Sequence, residues 1–229
     1  MRVPTRPVLL ASLYLVFVAA TVSAHGVDEG DQGFLESNEG AQVGPFVYLG
    51  AKHMVTGYDH LLFLVGVVFF LYRLKDVAIY VSMFTVGHSV TLIGGVLLDI
   101  QANAYLIDAV IGLSVVYKGF DNLGGFRRLF GFQPDTRGAV LVFGLFHGFG
   151  LATKLQKFAL SKDGLVANIV AFNVGVEVGQ FLALGLILMF MVWWRTKKSF
   201  LRHAVATNTA LMAAGFLLTG YQLTGYWTA

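Results

Sequence analysis

Seven polar side chains lie within or at the mouth of strongly apolar runs. They are His53, Asp59 and His60 in KHMVTGYDHLLFL, His88 in FTVGHSVTL, His147 in GLFHGFGLA, and Asn173 and Glu177 in FNVGVEVGQ. Ionisable groups are costly in lipid hydrocarbon, and where they occur they face a bundle interior or a water-filled cavity. Four imidazoles with two carboxylates and no sulfur are a donor set suited to Ni(II), Zn(II), Co(II) or Cu(II). Taken alone, each His also reads as a hydrogen-bonded interior group, and Glu177 as the partner of one. Their recurrence on several runs favours a common metal or proton site. The chain has no cysteine, which excludes disulfides, thiolate ligands and thiol chemistry.

The elements that must position these groups follow from composition. The chain has 229 residues, of which 56% are hydrophobic and 13% charged, and its mean hydropathy is +0.70. Soluble domains carry roughly 25% charged residues. The shortfall falls in blocks of about 20 apolar residues between short charged loops, the pattern of an all-α polytopic membrane protein. The ~10-residue alternating segments of an outer-membrane barrel are absent. A formal charge of +3 comes from basic residues in the loops, so it speaks for membrane topology and against a nucleic-acid partner.

Residues 1–24 resemble a secretory signal peptide: Arg2 and Arg6, an apolar stretch from Val8 to Ala20, then Val22-Ser23-Ala24. Cleavage there would leave an acidic exported tail, 25–45, and a transmembrane domain, 46–229. Six spans are expected, near 55–72, 77–98, 102–120, 138–157, 165–194 and 204–222. The loops at Arg73–Lys75, Lys118–Arg137 and Arg195–Arg202 hold ten basic residues, against three lysines at 154–163. By the positive-inside rule those three loops face the cytoplasm. Both mature termini would then lie on the exported side of a bacterial inner membrane. Lys154 and Lys157 read as snorkelling at the exported interface. Asn168 and Gln180 read as interhelical hydrogen bonders, and Asp108 as facing either the same cavity or interfacial water.

This topology sets the depth of the candidate ligands. At ~1.5 Å per residue, His88, His147 and Glu177 fall near the middle of their spans, and His60 several residues in from the exported face. Asn173 is one turn from Glu177 on the same helix face. His53 and His60 are two turns apart on a continuous helix, unless Gly57 breaks it and folds His53 over the site.

These motifs suggest a family. His53-x5-Asp59-His60 followed by LLFLVGVV resembles the signature of the HupE/UreJ membrane proteins, and FTVGHSVTL, GLFHGFGLA and FNVGVEVGQ resemble the family's later motifs in order. The resemblance covers about residues 46–222. It implies a nickel or cobalt permease in which His53, Asp59 and His60 bind metal in the first span, and His88, His147 and Glu177 match later positions. FHGFGLA lacks the second His of the FHGxAH pattern, so the chain is more similar to the broader branch of the family. The expectation is a permease rather than an enzyme, carrying a divalent transition-metal ion, with other membrane subunits or a second copy as further partners. Two alternatives remain open: a non-transporting metal-binding subunit of a membrane complex, and an intramembrane zinc-dependent hydrolase with Ser89 beside His88.

Overall fold

The apolar run around residue 57 folds as two helices instead of one. The computed structural model describes residues 40–156 and 163–229, and among these every regular element is a helix. Helix α1 spans Val43–Thr56 and α2 spans Tyr58–Val68, with Gly57 between them in extended conformation. Then follow α3 (Leu74–Leu97), α4 (Ala104–Asn122), the short α5 (Gly125–Phe130), α6 (Thr136–Leu155), α7 (Leu165–Arg195) and α8 (Ser199–Thr228). The proposed signal peptide and residues 25–39 of the acidic tail lie outside the described residues, as do Lys157 and Lys162.

Local chemistry sets several of these boundaries. Asn103 accepts a hydrogen bond from the Leu106 amide at 3.2 Å and starts α4; Asp135 accepts from the Arg137 amide at 2.9 Å and starts α6. Gly124 and Gly131, both at positive φ, frame α5. Helices α3, α6, α7 and α8 are long and apolar enough to cross a membrane. Helix α4 is long enough but carries Asp108, Lys118 and Asp121. The first span expected near 55–72 is corrected to α1 plus α2, which together begin at Val43; of the two geometries open at Gly57, the structure has the break. At ~1.5 Å per residue they measure ~21 and ~16 Å, so their junction falls near mid-bundle.

Three helix pairs form the framework of the described bundle: α1 with α7, α3 with α6, and α4 with α8. Each is packed through glycine. The Gly50 Cα faces the Phe172 carbonyl, Gly175 faces the Val47 carbonyl, and Gly179 faces Ala51. Across the second pair Gly144 meets the Phe84 carbonyl and Gly148 the His88 carbonyl. Across the third Gly112 meets Thr219 and Gly215, and Gly119 meets the Asn208 carbonyl. The registers make α1/α7 and α3/α6 parallel and α4/α8 antiparallel. In each case an added Cβ would strike backbone, so these are small-residue interfaces of the kind that hold helices together where no hydrophobic gain is available. Thr219, whose hydroxyl lies 2.9 Å from the Gly215 carbonyl of its own helix, also reaches across the third pair to the Ala109 carbonyl at 3.3 Å.

Helix α2 lies among these pairs and touches α1, α4, α7 and α8. Its last carbonyls are satisfied by long polar side chains. Asn122 donates to the Gly66 carbonyl at 2.8 Å and also to Asn208. Arg195 donates to the Val68 carbonyl and, at 2.9 Å, to that of Phe69. Phe69 stacks on Phe200 with centroids 5.3 Å apart. These contacts gather the three basic loops at one end of the bundle. At the opposite end Asn168 joins the start of α7 to that of α1: its carbonyl accepts from the Gln42 amide (2.7 Å) and its amide donates to the Gly40 carbonyl (3.0 Å). Both Asn168 and Gln180, which accepts from Thr85 at 3.2 Å, are the interhelical bonders expected.

The close approaches predict a sharp asymmetry between glycines. Gly175→Leu, which meets Val47 backbone, is expected to destabilise the fold by about 1–3 kcal/mol and lower the thermal midpoint in detergent. Gly185→Leu, with nothing within 4 Å of its Cβ position, is expected to leave the midpoint unchanged or raised. Thermal unfolding followed by size-exclusion fluorescence compares the two.

Candidate functional site

Gly57 puts a helix end and a helix start at mid-depth of the bundle, with Thr56 and Tyr58 facing outward and His53, Asp59 and His60 buried. Its amide donates to the His53 carbonyl at 3.0 Å, closing α1, and its carbonyl accepts from Leu61 at 3.1 Å, opening α2. A Cβ at residue 57 would lie 2.7 Å from His60 Nδ1 and 3.2 Å from Asp59 Oδ1. The two side chains fold back over the break, and only glycine leaves them room. Interrupted helices are tolerated at membrane depth where they line a protein-enclosed site, and their exposed termini are a recurring means of meeting ions.

Three imidazoles meet around this break. His53, from the last turn of α1, and His60, from the first turn of α2, stand edge to face with ring centroids 5.1 Å apart. His147 of α6 reaches His60 at 5.0 Å. All three are buried. Because the helix is broken, the seven-residue spacing of His53 and His60 does not bring them together through a shared helix face; the turn at Gly57 does.

Two hydrogen bonds orient these rings. His147 Nδ1 lies 2.7 Å from the Phe143 carbonyl, which can only accept, so Nδ1 carries the proton and Nε2 the lone pair. His60 Nδ1 lies 3.1 Å from Asp59 Oδ1, and an ionised Asp59 imposes the same tautomer on His60. A carboxylate or backbone carbonyl behind an imidazole is the arrangement that holds metal-ligating histidines in position. His147 Nε2 and His88 Nε2 have no hydrogen-bond partner among the described residues.

The remaining residues form an adjoining layer. His88 stacks on Phe84 at 6.1 Å, and the same Phe84 ring contacts His147 at 4.9 Å and His60 at 6.5 Å. Asn173 of α7 lies against His88; its amide donates to Ser89 Oγ at 3.0 Å and approaches Glu177 Oε1 at 3.5 Å. Glu177 is half-buried and adjoins the imidazole group through Asn173. The expected residues thus form two neighbouring sets: His53, Asp59, His60 and His147 in one, His88, Asn173 and Glu177 in the other. Among the described residues no three His, Asp or Glu side chains converge tightly enough to hold one ion as they stand.

The expectation that Lys154 snorkels to an interface is overturned. Lys154 is 9% exposed, and its ammonium donates to Asp108 Oδ2 at 2.6 Å, with Asp108 7% exposed. Of the two settings open for Asp108, the structure favours the interior. The pair joins α4 to α6 beside the imidazoles, with Asp108 Oδ1 against Gly150, one turn along α6 from His147. The signal for this in the sequence is spacing, because Lys154 is two turns from His147 and shares its helix face.

No curated protein and no solved structure matches the chain significantly. The family model described as HupE / UreJ protein matches residues 29–229. That span takes in the broken helix, the three imidazoles and all six of the apolar runs, and on that match the chain belongs to the HupE/UreJ family.

Proposed function

We propose that this protein is a membrane permease for a divalent transition-metal ion, nickel before cobalt, zinc or copper, with six crossings counting α1–α2 as one. The observation that carries this reading is the meeting of His53, His60 and His147 from three elements at a helix break near mid-bundle, with ring centroids 5.0 and 5.1 Å apart. Neutral imidazole is the ligand form. Asp59 orients His60 and offsets ionic charge.

The two sets suggest a path. His53, Asp59, His60 and His147 take the ion at the break. His88, Asn173 and Glu177, one packing layer away, receive it next. The Phe84 ring contacts histidines of both sets and lies where a side-chain rotation could join or part them. The glycine interfaces suit the same role, since backbones in contact can slide without repacking large side chains. The basic loops would face the cytoplasm and both termini the exported side.

Metal accumulation in cells expressing the chain tests this, with elemental analysis for nickel, cobalt, zinc and copper. Wild type is expected to raise nickel above vector controls. His60→Ala and His147→Ala are each expected to lower uptake by roughly tenfold or more, since losing ~1.4 kcal/mol of ion binding is already tenfold. Equal levels of all four metals in wild type, variant and vector cells would sink the permease reading. Asp59→Asn should leave a weaker, intermediate activity, because an amide oxygen can still accept from His60 but the charge is gone; full activity would remove Asp59 from the site.

A further inference from the structure

The Asp108–Lys154 pair is a buried ion pair that the transport site does not otherwise need. Buried pairs are poor devices for stability: desolvating both charges offsets most of their attraction, and apolar replacements are often at least as stable. This one is also incompletely satisfied, since Asp108 Oδ1 has no hydrogen-bond partner among the described residues. Oδ1 instead faces the Cα of Gly150, where an added Cβ would lie 3.4 Å away. The position of the pair is equally telling. Lys154 shares a face of α6 with His147, two turns away, and Asp108 Oδ1 lies against Gly150, one turn from His147. Lys154 is the second-last residue of α6, so its flexible stem can carry the ammonium toward that end of the bundle without moving backbone.

We propose that Lys154 is a tethered counter-cation for the metal site: it neutralises Asp108 while the imidazole site is empty, and a divalent cation displaces it and takes Asp108 as an added carboxylate ligand. The inference rests on the permease reading and deepens it. A monocation and a divalent cation compete for one buried carboxylate, so Asp108 is neutralised whether or not the ion is bound. It also never holds the ammonium and the metal together at close range. The exchange gives the site a preference for divalent over monovalent cations, because a second monovalent ion has no charge advantage over the lysine already there.

Calorimetric titration of the purified full chain with nickel chloride tests the exchange. Lys154→Met is expected to tighten nickel binding by about tenfold, and Asp108→Asn to weaken it. In the Asp108→Asn background the same Lys154→Met change is expected to tighten binding by clearly less than in wild type, because most of the lysine's effect is competition for that carboxylate. A wild-type affinity retained in Lys154→Met, or a gain just as large without the Asp108 carboxylate, would overturn the proposal. Absence of nickel, cobalt and zinc binding by wild type would instead remove the permease reading itself, so the two failures are distinct. Should Lys154→Met not fold, the wild-type protein supplies the answer. Acylation of Lys154 by an amine-reactive ester, read by mass spectrometry, is expected to be slow without metal and several-fold faster at saturating nickel. Equal protection in both states contradicts displacement.

Discussion

A helix that stops and restarts inside an apolar bundle must have its loosened backbone satisfied by something other than water. That constraint, set at Gly57, organises most of what surrounds it. The α1 end is closed by Gly57 donating to His53, and α2 is opened by Leu61 donating to Gly57. The space above the break is filled by Asp59 and His60, which fit because residue 57 has no side chain. At the far end of α2, Asn122 and Arg195 reach in from α4 and α7 to hold the carbonyls of Gly66, Val68 and Phe69. A short helix too small to span a membrane is thereby pinned at both ends. Its first turn is held at mid-bundle, where three imidazoles meet.

The glycine interfaces serve the same geometry. With α1 against α7 and α3 against α6 at backbone contact, the side chains of the opposite faces are drawn inward over short distances. His53 then reaches His60, and Phe84 touches both His60 and His147. Larger residues at Gly50, Gly144, Gly148 or Gly175 would widen the pairs and part the rings. The polar bonds between α3 and α7, Asn173 to Ser89 and Thr85 to Gln180, lie beside His88 and hold the second set of donors together.

Much of this was legible in the residues, and what was not has a physical reason. Imidazoles and carboxylates in apolar runs are visible as a cost, and their matched depths point to a shared site. Gly57 between two polar clusters signals a break, and the break is there. Which helix pairs with which was not legible. Gly50 and Gly175 carry no mark of each other, because small-residue interfaces are defined by what is absent. The start of the first span, expected near 55, was missed because the helix begins at Val43, in a stretch whose mixed composition does not read as a run of apolar residues. Lys154 was misplaced for a related reason: a lysine near the end of an apolar run reads as interfacial, and its buried partner, Asp108, lies 46 residues away on a helix whose packing the sequence does not announce.

The central claim is that His53, His60 and His147 become ligands of one ion at the helix break. X-ray absorption at the nickel edge, on the nickel-loaded full chain, tests it most directly. The account predicts a shell of nitrogen and oxygen only, with outer-shell scattering from at least two imidazoles that is diminished in His60→Ala. A nickel shell without imidazole scattering, or one identical in wild type and His60→Ala, would contradict it.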